Sequence, residues 1–385
     1  MNIMIIKPFE NTLTKRGSRM PKLASILIKK GYDVTYISSN FYHAEKRFFN
    51  TKEISINKSN SNYKQLFFSV PGYSSNISLS RLLTHIVFSI KVFFYILLHP
   101  PPNLIIIASH PPETIFVVNI LKYFKKYKII IDVIDCWPEG FPRRNFQYFL
   151  FYIYCNFFLY LSLPFQKYFV YTSPCFLEWI SKYQQNCYPI FITLGYDKER
   201  WNKNEPLKKI EKNKKIVYVG NIDQTIDLYP LINGIKDFND WSLTIIGSGD
   251  RFEETKKYII ENDIKNVFFL GFVNINEVPM ILKTIHISAI PFVGATLPNK
   301  LFDSIGSNIP ILAFGDNDTS KFVNENQIGW SLEFDENKVK EFLKNVDIYD
   351  IIKKSNNIRF LRERYSQEYL YEEYIAYINE ILLNQ

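Results

Sequence analysis

Cysteine is scarce in this chain: Cys136, Cys155, Cys175 and Cys187 are dispersed among 385 residues with no close pair. That spacing excludes a zinc ribbon, a Cys-x-x-Cys redox motif and a disulfide-stapled scaffold, and the four read as free thiols in a reducing compartment. Glycine and proline are also few, 14 and 19, beside a hydrophobic content of 47%, which excludes collagen-like, low-complexity and disordered organisation. The apolar run in MNIMIIKPFE is too short for a signal peptide and reads as a first buried strand. No zinc motif, P-loop or Ser-His-Asp arrangement occurs. Acidic residues are sparse in the first half. Up to Arg200 there are 24 Lys and Arg against 11 Asp and Glu, and beyond it 22 against 27.

Such asymmetry means that one half meets an anionic partner or surface that the other does not. The basic residues are scattered and no recognition motif accompanies them, so nucleic acid is not the expected partner. Aromatics crowd the same half, as in Phe146 to Phe158, a mixture suited to an interfacial membrane contact. Two segments, Ile77 to Leu98 and Tyr148 to Phe169, are apolar but interrupted by polar residues, Arg81, His85 and Lys91 among them. They read as half-buried helices that dip into a bilayer surface without crossing it.

The length suits two domains. Short apolar runs alternate with helical patterns: strands at Asn2 to Ile6, Asp33 to Ser38, Gln65 to Val70, Leu104 to Ser109, Lys128 to Ile134 and Tyr168 to Thr172, with helices between them. A polar stretch to Tyr63 is left without an element. The charged segment Asp197 to Lys215 is the linker candidate, and the alternation then restarts at Ile216 and runs to Phe314. The expected fold is α/β, two doubly wound parallel domains facing across a cleft, with chemistry in the loops beyond the carboxyl ends of the strands.

Those loops name the candidates. LPNKLFDS, Leu297 to Ser304, places Lys300 and Asp303 on one face of a first helical turn, Asn299 beside them. A helix N-terminus with an added ammonium favours a diphosphate, and a carboxylate there can accept from a ribose diol; a capped surface helix with a local ion pair suits the same residues. Gly220 and Asn221 follow a strand, where a phosphate could approach the backbone. Gly17, Ser18 and Arg19 open a helix, as a phosphate contact or an ordinary cap. In SHPPE, His110 suits a sugar hydroxyl or is a loop histidine without a task. In DCWPEG, Asp135 could act as general base on an acceptor hydroxyl or orient one, with Trp137 as a platform for a sugar face, while Asp132 within the strand supports structure.

Taken in order, ASHPPE, DCWPE, VYTSP, ITLGYDKERW, YVGN, IIGSG, VFFLGFV and LPNKLFDSIGSNIPIL resemble the GT-B glycosyltransferases of family 4, within it the bacterial enzymes that build O-antigen and capsular polysaccharide. The resemblance spans nearly the whole chain. It implies two Rossmann-like domains, 1–195 for the acceptor and membrane and 216–365 for the nucleotide sugar, a linker at 196–215, and a last helix, 366–385, packed back on the first domain. It implies that Lys300 meets the donor diphosphate and Asp303 the ribose, that Gly220 and Asn221 lie by the phosphates, and that Phe272 and Val273 hold the base by backbone contacts. His110 would lie near the donor sugar, Asp135 and Glu139 would face the acceptor, and Arg19 would help neutralise the diphosphate from the other domain. Two departures stand out: Ala295 occupies the place of an expected glutamate, and no Arg or Lys follows Asn221 before Asp227.

The activity so implied is hexosyl or acetamidohexosyl transfer from a nucleoside diphosphate donor, a UDP-sugar, to a polyprenyl-diphosphate-linked glycan. It would need neither cofactor nor metal and would occur in the cytoplasm, peripherally on an anionic inner membrane face. A nucleotide-sugar 2-epimerase of the same fold and a non-catalytic glycan-binding or partner subunit are the other readings. The first would have no use for a basic aromatic face; the second accommodates the missing glutamate and cations.

Overall fold

The computed structural model describes residues 1–14, 19–76, 78–141, 146–201 and 213–383. Gly17 and Ser18, and residues 202–212 of the expected linker, lie outside the described residues. The chain divides into two compact units, Met1–Ile192 with Tyr371–Gln385, and Thr193–Leu370.

Among the described residues, the first unit is built on seven parallel strands: β1 (Asn2–Ile6), β2 (Asp33–Ser39), β3 (Lys64–Phe68), β4 (Leu104–Ala108), β5 (Lys128–Val133), β6 (Tyr168–Tyr171) and β7 (Tyr188–Phe191). Their order is β3-β2-β1-β4-β5-β6-β7. Strand order reverses at β1, which pairs with both β2 and β4, so that Ile3 lies opposite Val34 and Leu104. All five residues of β4 are buried, as continuous Ile runs require when helices cover both faces of a sheet. Helix α1 (Arg19–Lys29) buries Met20, Leu23, Ala24 and Leu27, the stripe expected of an amphipathic helix, and Gly31 ends it at φ +88°.

Helix α2 (Leu79–Leu98) starts at Ser78, whose hydroxyl accepts from the Arg81 N–H. It buries Thr84, His85, Phe88, Ser89, Val92 and Ile96 while leaving Leu83, Ile90, Phe94 and Leu98 exposed. Helix α3 (Pro112–Lys125) follows β4, and α4 (Phe146–Ser162) exposes Phe149, Ile153 and Phe157. Both α2 and the segment Tyr148–Phe165 are long and apolar enough, by length and composition, to cross a membrane. Helix α5 (Pro174–Tyr183) joins β6 to β7.

The second unit holds β8 (Lys214–Val219), β9 (Trp241–Ile246), β10 (Val267–Gly271), β11 (Ile287–Ile290), β12 (Ile311–Phe314) and β13 (Gly329–Leu332). Among the described residues they form one parallel sheet in the order β10-β9-β8-β11-β12-β13. Here the order reverses between β8 and β11. Helix α6 (Asn299–Gly306) follows β11.

Two sequence readings need correction. The polar stretch before Tyr63 holds a helix, Thr51–Asn60, started by a reciprocal cap in which Asn50 and Glu53 each bond the other's backbone N–H. The expected linker is not a linker at its start: Tyr196 and Trp201 are each 1% exposed within the second unit, and Tyr196 bridges to Ser366. Aromatic side chains in an otherwise charged run found core sites, because burying a Trp or Tyr outweighs the polarity of its neighbours.

One buried polar cluster ties the first unit together. Asp132, on β5 and 0% exposed, accepts from Arg19 Nε and Nη2 at 3.4 Å and from Tyr374 Oη at 3.1 Å. Arg19 also donates to the Ile192 carbonyl at 3.2 Å, and Tyr371 Oη donates to the Arg19 carbonyl at 3.1 Å. The carboxyl-terminal helix Gln367–Leu383 is further held by the Lys30–Glu372 ion pair and by Tyr377 on the Tyr188 carbonyl. Tyr374→Phe should cost about 1–3 kcal/mol, since Asp132 loses one donor. Arg19→Met should cost more, about 3–5 kcal/mol, because it strands a buried carboxylate without its counter-charge. Urea unfolding followed by tryptophan fluorescence checks the order; equal losses would mean that the Arg19 charge adds nothing beyond a hydrogen bond.

Candidate functional site

In a doubly wound sheet the crevice opens where strand order reverses, beyond the carboxyl ends of the two strands there. In the second unit those ends are Val219 of β8 and Ile290 of β11. Gly220 follows the first. The second leads through Ala295 and Pro298 into α6, whose N-terminus has no side-chain cap among the described residues. Lys300, on the first turn, extends to the Tyr218 hydroxyl at 3.0 Å and lies 4.6 Å from the centre of the Tyr218 ring. Its ammonium stands beside Gly220, where a Cβ would come within 3.1 Å of Nζ. Burial lowers the Lys300 ammonium to a pKa of about 8, opposed by the field of Asp223.

The glycines of IIGSG serve close packing. A Cβ on Gly247 would fall 1.8 Å from the Gly220 carbonyl oxygen, and one on Gly249 2.4 Å from that of Ile222. Backbone bonds lace the loops together: Gly220 N–H to Ile246 O, Ile222 N–H to Ser248 O, and Gly247 N–H to Gly271 O, all 2.8–2.9 Å. Asn221 donates to Asp223 Oδ2 at 2.6 Å. Asp303 accepts from Trp201 Nε1 through Oδ1 at 3.1 Å, and burial raises its pKa to about 6 despite the Arg200 guanidinium. Asn299, the first residue of α6, and Phe272, on the loop after β10, are exposed, and Val273 beside Phe272 is half-buried. The structure therefore groups Lys300, Gly220 and Asn221 around Tyr218, with Asp303 one helical turn along from Lys300.

In the first unit the reversal lies between β1 and β4, followed respectively by Lys7 and by Ser109 and His110. The His110 ring stacks on Trp137 at 5.0 Å and 19°. Its Nδ1 is buried without a hydrogen-bond partner among the described residues, and burial, then the charge of Lys7, hold its pKa well below the usual value. His110 is neutral at physiological pH and able to accept or donate. Asp135, at the end of β5, accepts from Trp137 Nε1 at 3.0 Å, and Ser109 Oγ donates to its carbonyl at 2.8 Å. Burial raises the Asp135 carboxyl above its usual range, with the Trp137 bond opposing. Such a group suits proton transfer.

Three expectations are corrected here. Trp137 is 4% exposed and enclosed by His110, His85, Phe141, Phe151 and the Arg81 guanidinium. It cannot offer a face to a sugar; it orients Asp135. Glu139 is committed to α5, accepting from Lys182 Nζ at 2.8 Å and Trp179 Nε1 at 3.0 Å, so it braces the loop. Arg19 is buried on Asp132, in the fold's own polar cluster, and is not directed to an anion. The sequence reading passed over Lys7, 5% exposed, its Nζ 3.9 Å from Glu10 Oε2. Its place directly after the first strand was the available signal.

These groups set a pH window for an anionic ligand with no ionisation of its own near neutrality, such as a nucleoside diphosphate sugar. Asp303 must be ionised to accept a diol, so affinity should rise through about pH 6. Lys300 must be protonated to meet a diphosphate, so affinity should fall above about pH 8. Calorimetric titration with UDP-glucose should show this plateau. Asp303→Asn should remove the acidic limb and Lys300→Ala should weaken binding at least about tenfold, the scale of a charge-assisted contact; unchanged affinity in Lys300→Ala would remove the diphosphate role.

Comparison with known proteins bears on the same region. Residues 199–357 match the family described as glycosyl transferases group 1, a span that contains Gly220, Lys300 and Asp303. An "uncharacterized glycosyltransferase" of Haemophilus influenzae is 26% identical over 181 residues, 44% of this chain and 49% of the relative, so the chain spans about half the length of the curated relative it matches. Sucrose-phosphate synthase from Thermosynechococcus elongatus superposes with a TM-score of 0.76 at 12% identity, over 100% of both chains. Anabaena Alr3699/HepE in complex with UDP gives 0.70 at 12%, over 99% of this chain and 100% of that one. The lipopolysaccharide outer core galactosyltransferase WaaB gives 0.69 at 13%, over 99% of each. The fold is that of the GT-B glycosyltransferases, two Rossmann-like units of parallel sheet and helix, and the group 1 match supports a glycosyltransferase.

Proposed function

We propose that the protein transfers a sugar from a nucleoside diphosphate donor, a UDP-sugar, to a polyprenyl-diphosphate-linked glycan in the assembly of a bacterial surface polysaccharide, an O-antigen or capsule. The observation that carries the donor half is Lys300, its ammonium beside Gly220 at the strand-order reversal of the second unit. A cation and the first-turn amides of α6 stabilise negative charge building on a departing diphosphate, a role that needs no bound metal. The solved relative with UDP bound supports the choice of nucleotide. Phe272 and Val273, at the end of β10, would hold the base by their backbone, and Asn299 would lie beside the phosphates.

The acceptor half belongs to the first unit. Asp135 takes the proton from the attacking hydroxyl in an inverting reaction, its orientation fixed by Trp137. In a retaining reaction no strong base is needed and His110 supports the donor sugar. The exposed apolar residues of α2 and α4, in a half rich in Lys and Arg, favour a lipid-linked acceptor over a soluble one. In this reading the enzyme works on the cytoplasmic face of the membrane, bound peripherally. The same face weighs against a soluble 2-epimerase.

Asp135→Asn should lower kcat by about 10²–10⁴-fold with donor affinity unchanged, the range for loss of a general base; an undiminished kcat would assign the retaining route, and the anomeric configuration of the product would confirm it. In flotation, the protein should rise with anionic liposomes at low salt and be released as ionic strength increases. A protein that stays in the aqueous fraction with such vesicles would contradict the membrane site.

A further inference from the structure

A cavity of about 660 Å³ opens in the first unit between the start of α2 and the first turns of α4. It lies within the size range of ligand pockets, about 300–1,000 Å³. Its walls are mostly apolar: Leu79 and Leu82 from α2, Leu150 and Phe151 from α4, and Phe141. Leu79 and Leu150 are themselves exposed, 84% and 52%, so the apolar lining continues onto the outward faces of both helices.

Two nitrogen atoms of this cavity's lining, on Arg81 and His85, are buried with no hydrogen-bond partner among the described residues. Arg81 lines it and carries no ion pair among the described residues. Its Nη1 donates to the Asn76 carbonyl at 2.6 Å, but its Nε is buried without a partner among the described residues. The guanidinium rests on aromatic surfaces, 4.8 Å from the centre of Trp137 and 5.5 Å from that of Tyr73. His85, 2% exposed and also in the lining, lies 3.9 Å through Nδ1 from Glu113 Oε1 and has its Nε2 without a partner among the described residues. A largely desolvated cation without a counter-ion is costly, and an anion brought to it recovers that cost. Only a molecule with an apolar body and an anionic end satisfies both the walls and Arg81.

We propose that this cavity holds the proximal isoprene units of a polyprenyl diphosphate, its chain between α2 and α4 and a phosphate against the Arg81 guanidinium. The inference rests on reading the acceptor as lipid-linked, and it gives that reading a site. Trp137 then connects lipid and chemistry: one indole lies against Arg81, stacks on His110 and donates to Asp135. A diphosphate seated on Arg81 would present the first sugar of its glycan near the candidate base.

The test uses the full chain with farnesyl diphosphate, farnesol and inorganic pyrophosphate in calorimetric titrations. Farnesyl diphosphate should bind saturably and at least tenfold more tightly than either fragment. Leu82→Trp, which fills the cavity, should weaken it at least tenfold while UDP-glucose affinity stays at the wild-type value, showing that the variant is folded. Arg81→Gln should make farnesyl diphosphate and farnesol bind alike. A benzophenone-bearing farnesyl diphosphate should crosslink to the peptides that carry Leu82 and Phe151, independently of any variant. Pyrophosphate binding as tightly as farnesyl diphosphate, or full affinity in Leu82→Trp, would overturn the proposal. Wild-type transfer to a polyprenyl-linked acceptor by Leu82→Trp would overturn the cavity and leave the lipid-linked acceptor standing. Cavity-dependent binding with transfer only to soluble sugars would keep the cavity as a lipid site and overturn the acceptor reading.

Discussion

A carboxylate with no exposure to water organises the first unit. Asp132 sits in a strand whose other buried residues are isoleucine and valine, and a charge there is tolerable only with partners held in place. Those partners come from distant parts of the sequence: Arg19 opens the first helix and Tyr374 belongs to the last. Neutralising one buried group thus fixes where α1 begins and where the carboxyl-terminal helix docks. The same strand ends one residue later at Val133 and Asp135 follows in the loop, so the constraint that places the last helix also places the candidate base.

The two strand-order reversals then divide the labour by charge. At the second unit's reversal the backbone is kept bare, glycine against glycine, and a single ammonium is brought over it. At the first unit's reversal the side chains are aromatic and weakly basic, with neutral His110 and Lys7 beside Asp135. The first arrangement suits an anion approaching a main chain and the second suits a hydroxyl giving up a proton.

Much of this was legible in the residues. Strands such as Leu104–Ala108 are continuous apolar runs, and burial on both faces leaves no other reading. Lys300 and Asp303 were legible because a strand, a proline and a helical spacing stand in series. The roles of Glu139, Trp137 and Arg19 were not, since each depends on a partner remote in sequence: Lys182 and Trp179 for the first, Arg81 and His110 for the second, Asp132 for the third. Arg81 and His85 were read as interruptions of an apolar helix. Only the fold shows that they face inward, toward a cavity, on a helix whose other side is bare. The helix Thr51–Asn60 was missed although its Asn-x-x-Glu start was present, because its apolar residues follow no helical stripe.

Lys300 rests on a phenol and not on a carboxylate. An ammonium parked on an ion pair must give up one full charge to gain another, and the exchange nets little. A neutral hydroxyl and an aromatic face hold the side chain in one rotamer while leaving its charge unspent. In the proposed donor site an incoming diphosphate would meet a cation already aimed, with no ion pair among the described residues to break. Tyr218 would thereby set how much of that charge the ligand receives.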